Sequence, residues 1–448
     1  MAERHISRRQ FGRLFSVEAS VVEINYGVPH LAACRDCWIE ATEVVASLRD
    51  TKNLPRFSDS RDAVVTLMEA EEDRIARSLR SKGWWAGLKD ATLGEQKEKI
   101  NEVAAVQTGE VFETIIHQAQ ILARRDPFAA ERSAMTAHLL VDKLSDIQFP
   151  PPVKNAFRLS AMTVVANSRR LAANWPGAFE AVSRARTYLT PQQMVSVEGA
   201  NLISVHASLV CDTGLLEEAE ILLYQAAGIY RGAGDFVGVA KIGVKEADAI
   251  LASGRPEEAL MKARDVLAIM PPGCARLEMF ARNIATESLV GLGRLSEALR
   301  SYGRAKPLNE QFGGEVDLLK FEYLEAKILD ALGDARESEK LFRSAIHGLT
   351  EAEIYRSAFI ARLALFESLF KRAAFGKAAR LCEEAIGLLQ KTKRIHAQMS
   401  QVWKDLLVAV KTQALEEYHL SVMKDYLIRH WTSPATNAPV FTAKPKPD

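Results

Sequence analysis

The run His30-Leu31-Ala32-Ala33-Cys34-Arg35-Asp36-Cys37 holds the densest set of metal-ligating side chains in the sequence. Spacings of four and seven residues put His30, Cys34 and Cys37 on one face of a helical turn. Two thiolates and an imidazole are a normal part of a tetrahedral zinc set. The nearest histidine that could complete it is His5, ahead of the apolar-patterned Phe11, Leu14 and Phe15. Four protein ligands leave no open position for a catalytic water, so such a zinc would be structural. In so small a segment it would carry much of the folding free energy. Two other readings stay open. Cysteines two apart can be buried thiols without metal, or a redox pair whose oxidation would release zinc. Thioredoxin-type redox work would want a strand before Cys34, and none is patterned there. Arg4, Arg8, Arg9 and Arg13 cluster nearby, as a solvated face or as a patch for an acidic partner.

The elements behind these residues are helices. Gly214-Leu215-Leu216-Glu217-Glu218-Ala219 is a turn glycine followed by a helix with small residues on one face. The turn position recurs at Ala173, Gly214, Gly254, Gly293, Gly333 and Ala373, a period of about 40. Five residues after each stands Ala178, Ala219, Ala259, Ala298, Ser338 or Ala378. Seven further stands Ala185, Ala226, Val266, Ala305, Ala345 or Ala385. Small residues at fixed phase let two antiparallel helices approach, and a left-handed turn residue ends the first of them. One hairpin cannot bury its apolar stripe alone, so the hairpins must stack into an all-α solenoid.

Over about 155–390 this pattern resembles the tetratricopeptide repeat family. The period exceeds that family's usual 34, so longer helices are expected. Its first-helix glycine is replaced by Ala166, Ala207, Ala247, Thr286, Ala326 and Phe366, and Pro271 is the sole proline placed after a second helix. The order of a histidine, a short helix and H-x3-C-x2-C resembles the zinc-binding anti-sigma factor domain. That resemblance implies His5, His30, Cys34 and Cys37 as ligands of a structural Zn2+, and a sigma factor as partner. Gly27 and Pro29 interrupt the helix that would lead into His30. Val165-Ala166-Asn167-Ser168-Arg169-Arg170, with Ala178 and Ala185, is similar to bacterial repeat proteins whose array follows a helix-turn-helix or zinc-binding module, which implies a regulatory context.

Four segments are expected. Residues 1–49 form the zinc-binding helical module, and 50–108 a linker with connecting helices. The array covers 109–431, and the Pro-, Thr- and Lys-rich tail 432–448 is expected to be disordered. One connecting helix should end near Gly83, with Trp84 and Trp85 after it as packing anchors. A divergent leading hairpin should cover 109–145, with one helix from Val111 to Arg125 and a second starting at Asp126-Pro127, repeating the small-residue phase at Ala130 and Ala137. Phe149-Pro150-Pro151-Pro152 then makes a joint. The last pair, 395–411 and 414–430, is atypical, as a terminal repeat should be.

The first helix of each hairpin should line the inner wall of the solenoid. On that phase the inward polar residues include Asn167, Arg170, Asp248, Asn283, Glu287, Tyr323, Lys327 and Asp330. Their signs alternate, and a groove for a protein or peptide segment is the expected use. With 48% hydrophobic residues and a net charge of +1, composition argues neither for nucleic acid nor for a membrane surface. No apolar run is long enough to span a bilayer, and nothing resembles a signal peptide. Five cysteines suggest no disulfide framework and fit a cytoplasmic protein. No Walker loop, HExxH or GxSxG is present, so no enzyme is expected. The expectation is a cytoplasmic, non-enzymatic regulator of transcription; the alternative is a repeat scaffold with a degenerate or purely structural zinc site.

Overall fold

The computed structural model describes residues 81–102, 107–391 and 397–412, together with Leu420 and Tyr426. His5, His30, Cys34, Cys37 and the tail from 432 lie outside the described residues. Among the described residues every regular element is a helix. None of these helices is long and apolar enough to cross a membrane. Two units separate. One holds residues 81–89 and Thr108–Thr114; the other holds the rest of the described chain from Asp90.

In the first unit a helix continues through Gly83 to residue 86, so Gly83 does not end it. Trp85 is buried, and its ring centroid lies 6.3 Å from that of Trp84. In the second unit α1 (Leu93–Glu102) opens with a capping box. Thr92 Oγ1 accepts from the Glu95 N–H, and Glu95 accepts from the Thr92 N–H at 2.7 Å. Its buried Gln96 accepts from Thr136 Oγ1 at 2.5 Å, which fastens α1 to α3 (Pro127–Val141). Helix α2 (Gly109–Leu122) precedes α3, whose N-cap is Asp126. The proline run starts a helix rather than merely breaking one. Pro151 sits in the first turn of α4, where its missing N–H would have had no partner.

Six regular hairpins follow. They are α4 (Pro151–Leu171) with α5 (Trp175–Arg186), α7 (Val197–Asp212) with α8 (Leu216–Gly232), and α9 (Phe236–Ala252) with α10 (Pro256–Ile269). Then come α11 (Ala275–Gly291) with α12 (Leu295–Phe312), α13 (Glu315–Ala331) with α14 (Ala335–Glu351), and α15 (Tyr355–Lys371) with α16 (Phe375–Lys391). The four-residue α6 (Pro191–Met194) joins the first two, and α17 (Ala397–Lys411) follows the last. All six expected turn positions have positive φ: Ala173 at 57°, Ala373 at 55°, and the four glycines between 70° and 88°. In each, the N–H two residues beyond the helix cap bonds back to the carbonyl five residues earlier, as from Leu215 to Val210. All twelve phase positions are buried, eleven of them at zero exposure and Val266 at 2%. The six residues that stand where the family has glycine are buried as well, Phe366 included. Ser338 keeps the small size and donates to the Ala326 carbonyl at 3.0 Å.

Val266 exceeds the other phase residues by two methyl groups. The room comes from Gly243 on α9, where a Cβ would lie 2.4 Å from Val266 Cγ2. The end of the array is closed by α17. Its fully buried Trp403 packs on Phe359, centroids 5.8 Å apart.

Candidate functional site, the inner surface of the repeat array

Neighbouring first helices are tied by polar contacts between positions about one period apart. Arg170 donates to Asp212 at 2.6 Å, Arg276 to Asp317 at 2.7 Å, and Lys327 to Glu287 at 2.7 Å. Ser368 donates to Asp330. Tyr323 lies under Lys327, whose ammonium is 5.5 Å from the ring centroid. Burial works against the charge of Lys327, yet Glu287 and Tyr323 hold its pKa above the ordinary value. Burial pushes the Tyr323 phenol up to about 12.

Two of these acids also take a second arginine from a distant hairpin. Arg124, just after α2, reaches Asp317 at 3.8 Å and stacks 5.4 Å from the Phe280 ring, which Arg276 faces at 5.7 Å. Arg356 on α15 reaches Asp212 at 3.6 Å. The first helices of this unit therefore curve about a shared inner surface, and two carboxylates bridge across it.

Helix α9 is different. Lys241, Lys245 and Asp248 lie on one face at spacings of four and three. Among the described residues none of the three has an ion-pair partner within 4 Å. Lys245 instead donates to Ser204 Oγ at 2.7 Å and Ser208 Oγ at 2.9 Å. Burial, then Lys241, Arg170 and Arg124, hold its pKa well below the ordinary lysine value. Lys241 is exposed, yet the protein packed around it shifts its pKa the same way. Asp248 keeps contact with solvent, but protein surrounds it. Burial raises its pKa, and Lys320 across the surface opposes that shift.

The sequence-expected groove residues divide. Arg170, Asp248, Glu287, Tyr323, Lys327 and Asp330 take part in this charged surface. Asn167 accepts from Arg170 and steadies it at 3.1–3.2 Å. Asn283 exchanges two amide hydrogen bonds with the buried Asn309 on α12, at 3.0 and 2.9 Å, so its side chain serves the hairpin interior. Lys241 and Lys320 stand thirteen residues before their turn positions. They emerge once the inner phase is carried one helical turn further back. Arg124 and Arg356 have no such signal, because their partners lie several repeats away.

Elsewhere the expected inert residues are enclosed. His206 is half-buried beside Phe179 and contacts Arg186 at 3.2 Å; burial lowers its pKa. Burial pushes the Cys211 and Cys382 thiols up to about 12. Among the described residues no three His, Cys, Asp or Glu side chains gather as a metal site.

No protein-family model matches the sequence, and no curated protein matches it. The crystal structure of aspartyl phosphate phosphatase F from Bacillus subtilis is similar over 87% of this chain and 96% of its own. Its TM-score is 0.51 at 11% identity, a likeness of fold. A Rap protein complexed with Competence and Sporulation Factor aligns over 81% of this chain and 97% of its own, with a TM-score of 0.44 and 14% identity.

Proposed function

We propose that the repeat array binds a segment of a partner protein or a peptide along its inner surface, and that the chain performs no chemistry itself. The observation that carries this reading is the α9 stripe of Lys241, Lys245 and Asp248. Its charges are held on the inner face without ion-pair partners, while the surrounding Arg170, Arg276 and Lys327 are each paired with an acid. Leaving charge unpaired in a partly desolvated place costs stability, and an incoming segment with complementary groups would recover that cost. The stripe has both signs, which suits a polypeptide better than a polyanion.

The finer part of the reading rests on the N-terminal sequence. A structural Zn2+ on His5, His30, Cys34 and Cys37 would fold a small helical module for engaging the transcription machinery, with a sigma factor as the partner implied by resemblance. In that arrangement the array senses or scaffolds, and the module delivers the output in the cytoplasm.

A photo-crosslinking residue placed at Asp248, compared with one at the exposed Tyr224 on α8, tests the inner-surface reading. Capture at 248 that is absent at 224, and lost when Lys241 and Lys245 become Glu, is the expected result. Equal capture at both positions would overturn it.

A further inference from the structure

Arg362 stands out by its burial. Eleven residues before the turn, the six hairpins carry Met162, Ile203, Gly243, Arg282, Glu322 and Arg362, and of the three charged residues Arg362 alone is buried. Its side chain is buried beside α14 and α16 and stacks on Phe359, the guanidinium carbon 5.2 Å from the ring centroid. It is only 7% exposed. A guanidinium has five N–H donors and no acceptor. Here the one bond made is from Nη2 to Thr350 Oγ1 at 3.2 Å, and that hydroxyl donates onward to the Ile346 carbonyl at 2.6 Å. Among the described residues, Nε and Nη1 have no acceptor.

The side chain lines a pocket of about 190 Å³ that opens between the two second helices. Arg343, His347 and Glu384 stand at its rim. Glu384 is half-exposed, and Arg343 is its ion-pair partner at a loose 3.9 Å. Arg343 is also drawn to Glu339 at 3.4 Å, outside the pocket lining, so the positive charge left facing the cavity is that of Arg362. Burial lowers the Arg362 pKa to about 10, and Glu384 opposes that shift, so the group remains charged at neutral pH. A buried, charged fork with unused donors in a cavity of this size matches the planar or tetrahedral oxygens of one small anion. We propose that this pocket binds a single oxyanion group, a carboxylate or a phosphate, with Arg362 as its buried donor. The site is separate from the inner surface of the array, since it opens between second helices. Glu384 acts as its gate, occupying the positive field when no anion is present.

The test is calorimetric titration of the full chain with benzoate and with phenyl phosphate, repeated with inorganic phosphate. Saturable one-to-one binding of at least one of them is expected. Arg362→Met, which installs the residue found at this place in the first regular hairpin, should weaken binding roughly tenfold or more while the melting temperature stays the same or rises. Should that variant fold poorly, Glu384→Gln gives an independent reading, because loss of the competing carboxylate should tighten anion binding. Whichever of benzoate and phenyl phosphate binds more tightly identifies the natural group. Absence of saturable binding in both the wild type and Glu384→Gln overturns the proposal. So does binding that Arg362→Met leaves unchanged, which would mark an adventitious ion only.

Discussion

Arg356 and Arg170 meet the two oxygens of one carboxylate, that of Asp212: Arg170 reaches Oδ2 at 2.6 Å from the preceding hairpin and Arg356 reaches Oδ1 at 3.6 Å from the last regular one. One acid thus does two jobs, joining neighbours and bridging the inner surface. Asp212→Asn should cost roughly 1–3 kcal/mol in urea unfolding, because two arginines lose a charged partner. It should also enlarge the radius of gyration measured by X-ray scattering, and high salt should reproduce part of that expansion in the wild type. An unchanged radius would show that the bridge does not set the curvature.

Val266 and Gly243 exchange volume, as their 2.4 Å approach to a hypothetical Cβ shows. Gly243→Ala alone should destabilise by about 1–3 kcal/mol through overpacking. Val266→Ala should restore most of that loss, because it returns the position to the small residue used in five of the six hairpins. Additive losses in the double variant would mean that the two sites are not coupled.

Ala173 and Ala373 hold φ of 57° and 55°, where a Cβ is strained. Glycine at either site should stabilise by roughly 0.5–1 kcal/mol, whereas Gly214→Ala should destabilise by a similar or larger amount. Chemical denaturation of the three variants checks the sign. An Ala173→Gly change that lowers stability would contradict the left-handed turn there.

Cys382 has its folded-state pKa raised to about 12 by burial. A raised thiol pKa means that the unfolded chain gives up its proton first. This group's contribution is therefore intact below about pH 8.5, the ordinary thiol value, and is lost as pH climbs toward 12. Stability of the wild type should fall across that window more steeply than that of Cys382→Ser. A disulfide-exchange reagent at pH 7.5 should leave Cys382 and Cys211 unmodified until the protein unfolds. Rapid modification of either thiol in the native state would refute the enclosure.

The zinc proposal stands on metal analysis of untagged protein. About one zinc per chain is expected, lost in the Cys34→Ser, Cys37→Ser double variant. A metal-free, freshly reduced protein would remove the anti-sigma-like part of the proposed function and leave a helical-repeat scaffold.

The repeat core was legible because its determinants are local and periodic. A left-handed turn residue and two small residues recur at fixed offsets, and those offsets fixed all six turns and twelve contacts from Ala173 to Ala385. The start of α1 carried a readable signal too, Thr92 with Glu95 three residues on, but no apolar periodicity drew attention to it. Gly83 misled because a glycine is tolerated within a helix as well as at its end. The bridges of Arg124 and Arg356 were not legible. They depend on how far small rotations accumulate from hairpin to hairpin, and no single repeat encodes that sum. Asn283 went astray for a different reason. Its phase matches the inner wall, but Asn309 offers it a buried amide partner on the companion helix.

A stack held only by contacts between neighbours can shed hairpins from either end, one at a time. The bridges change that arithmetic. Losing the hairpin that carries Arg356 strips a partner from Asp212 near the other end, and loosening the segment at Arg124 does the same to Asp317. Fraying at one terminus is thereby felt in the middle of the array, and events at the two ends become statistically dependent. Such a molecule would melt in larger cooperative blocks than an open row of the same hairpins, and its cooperativity would decline as ionic strength rises.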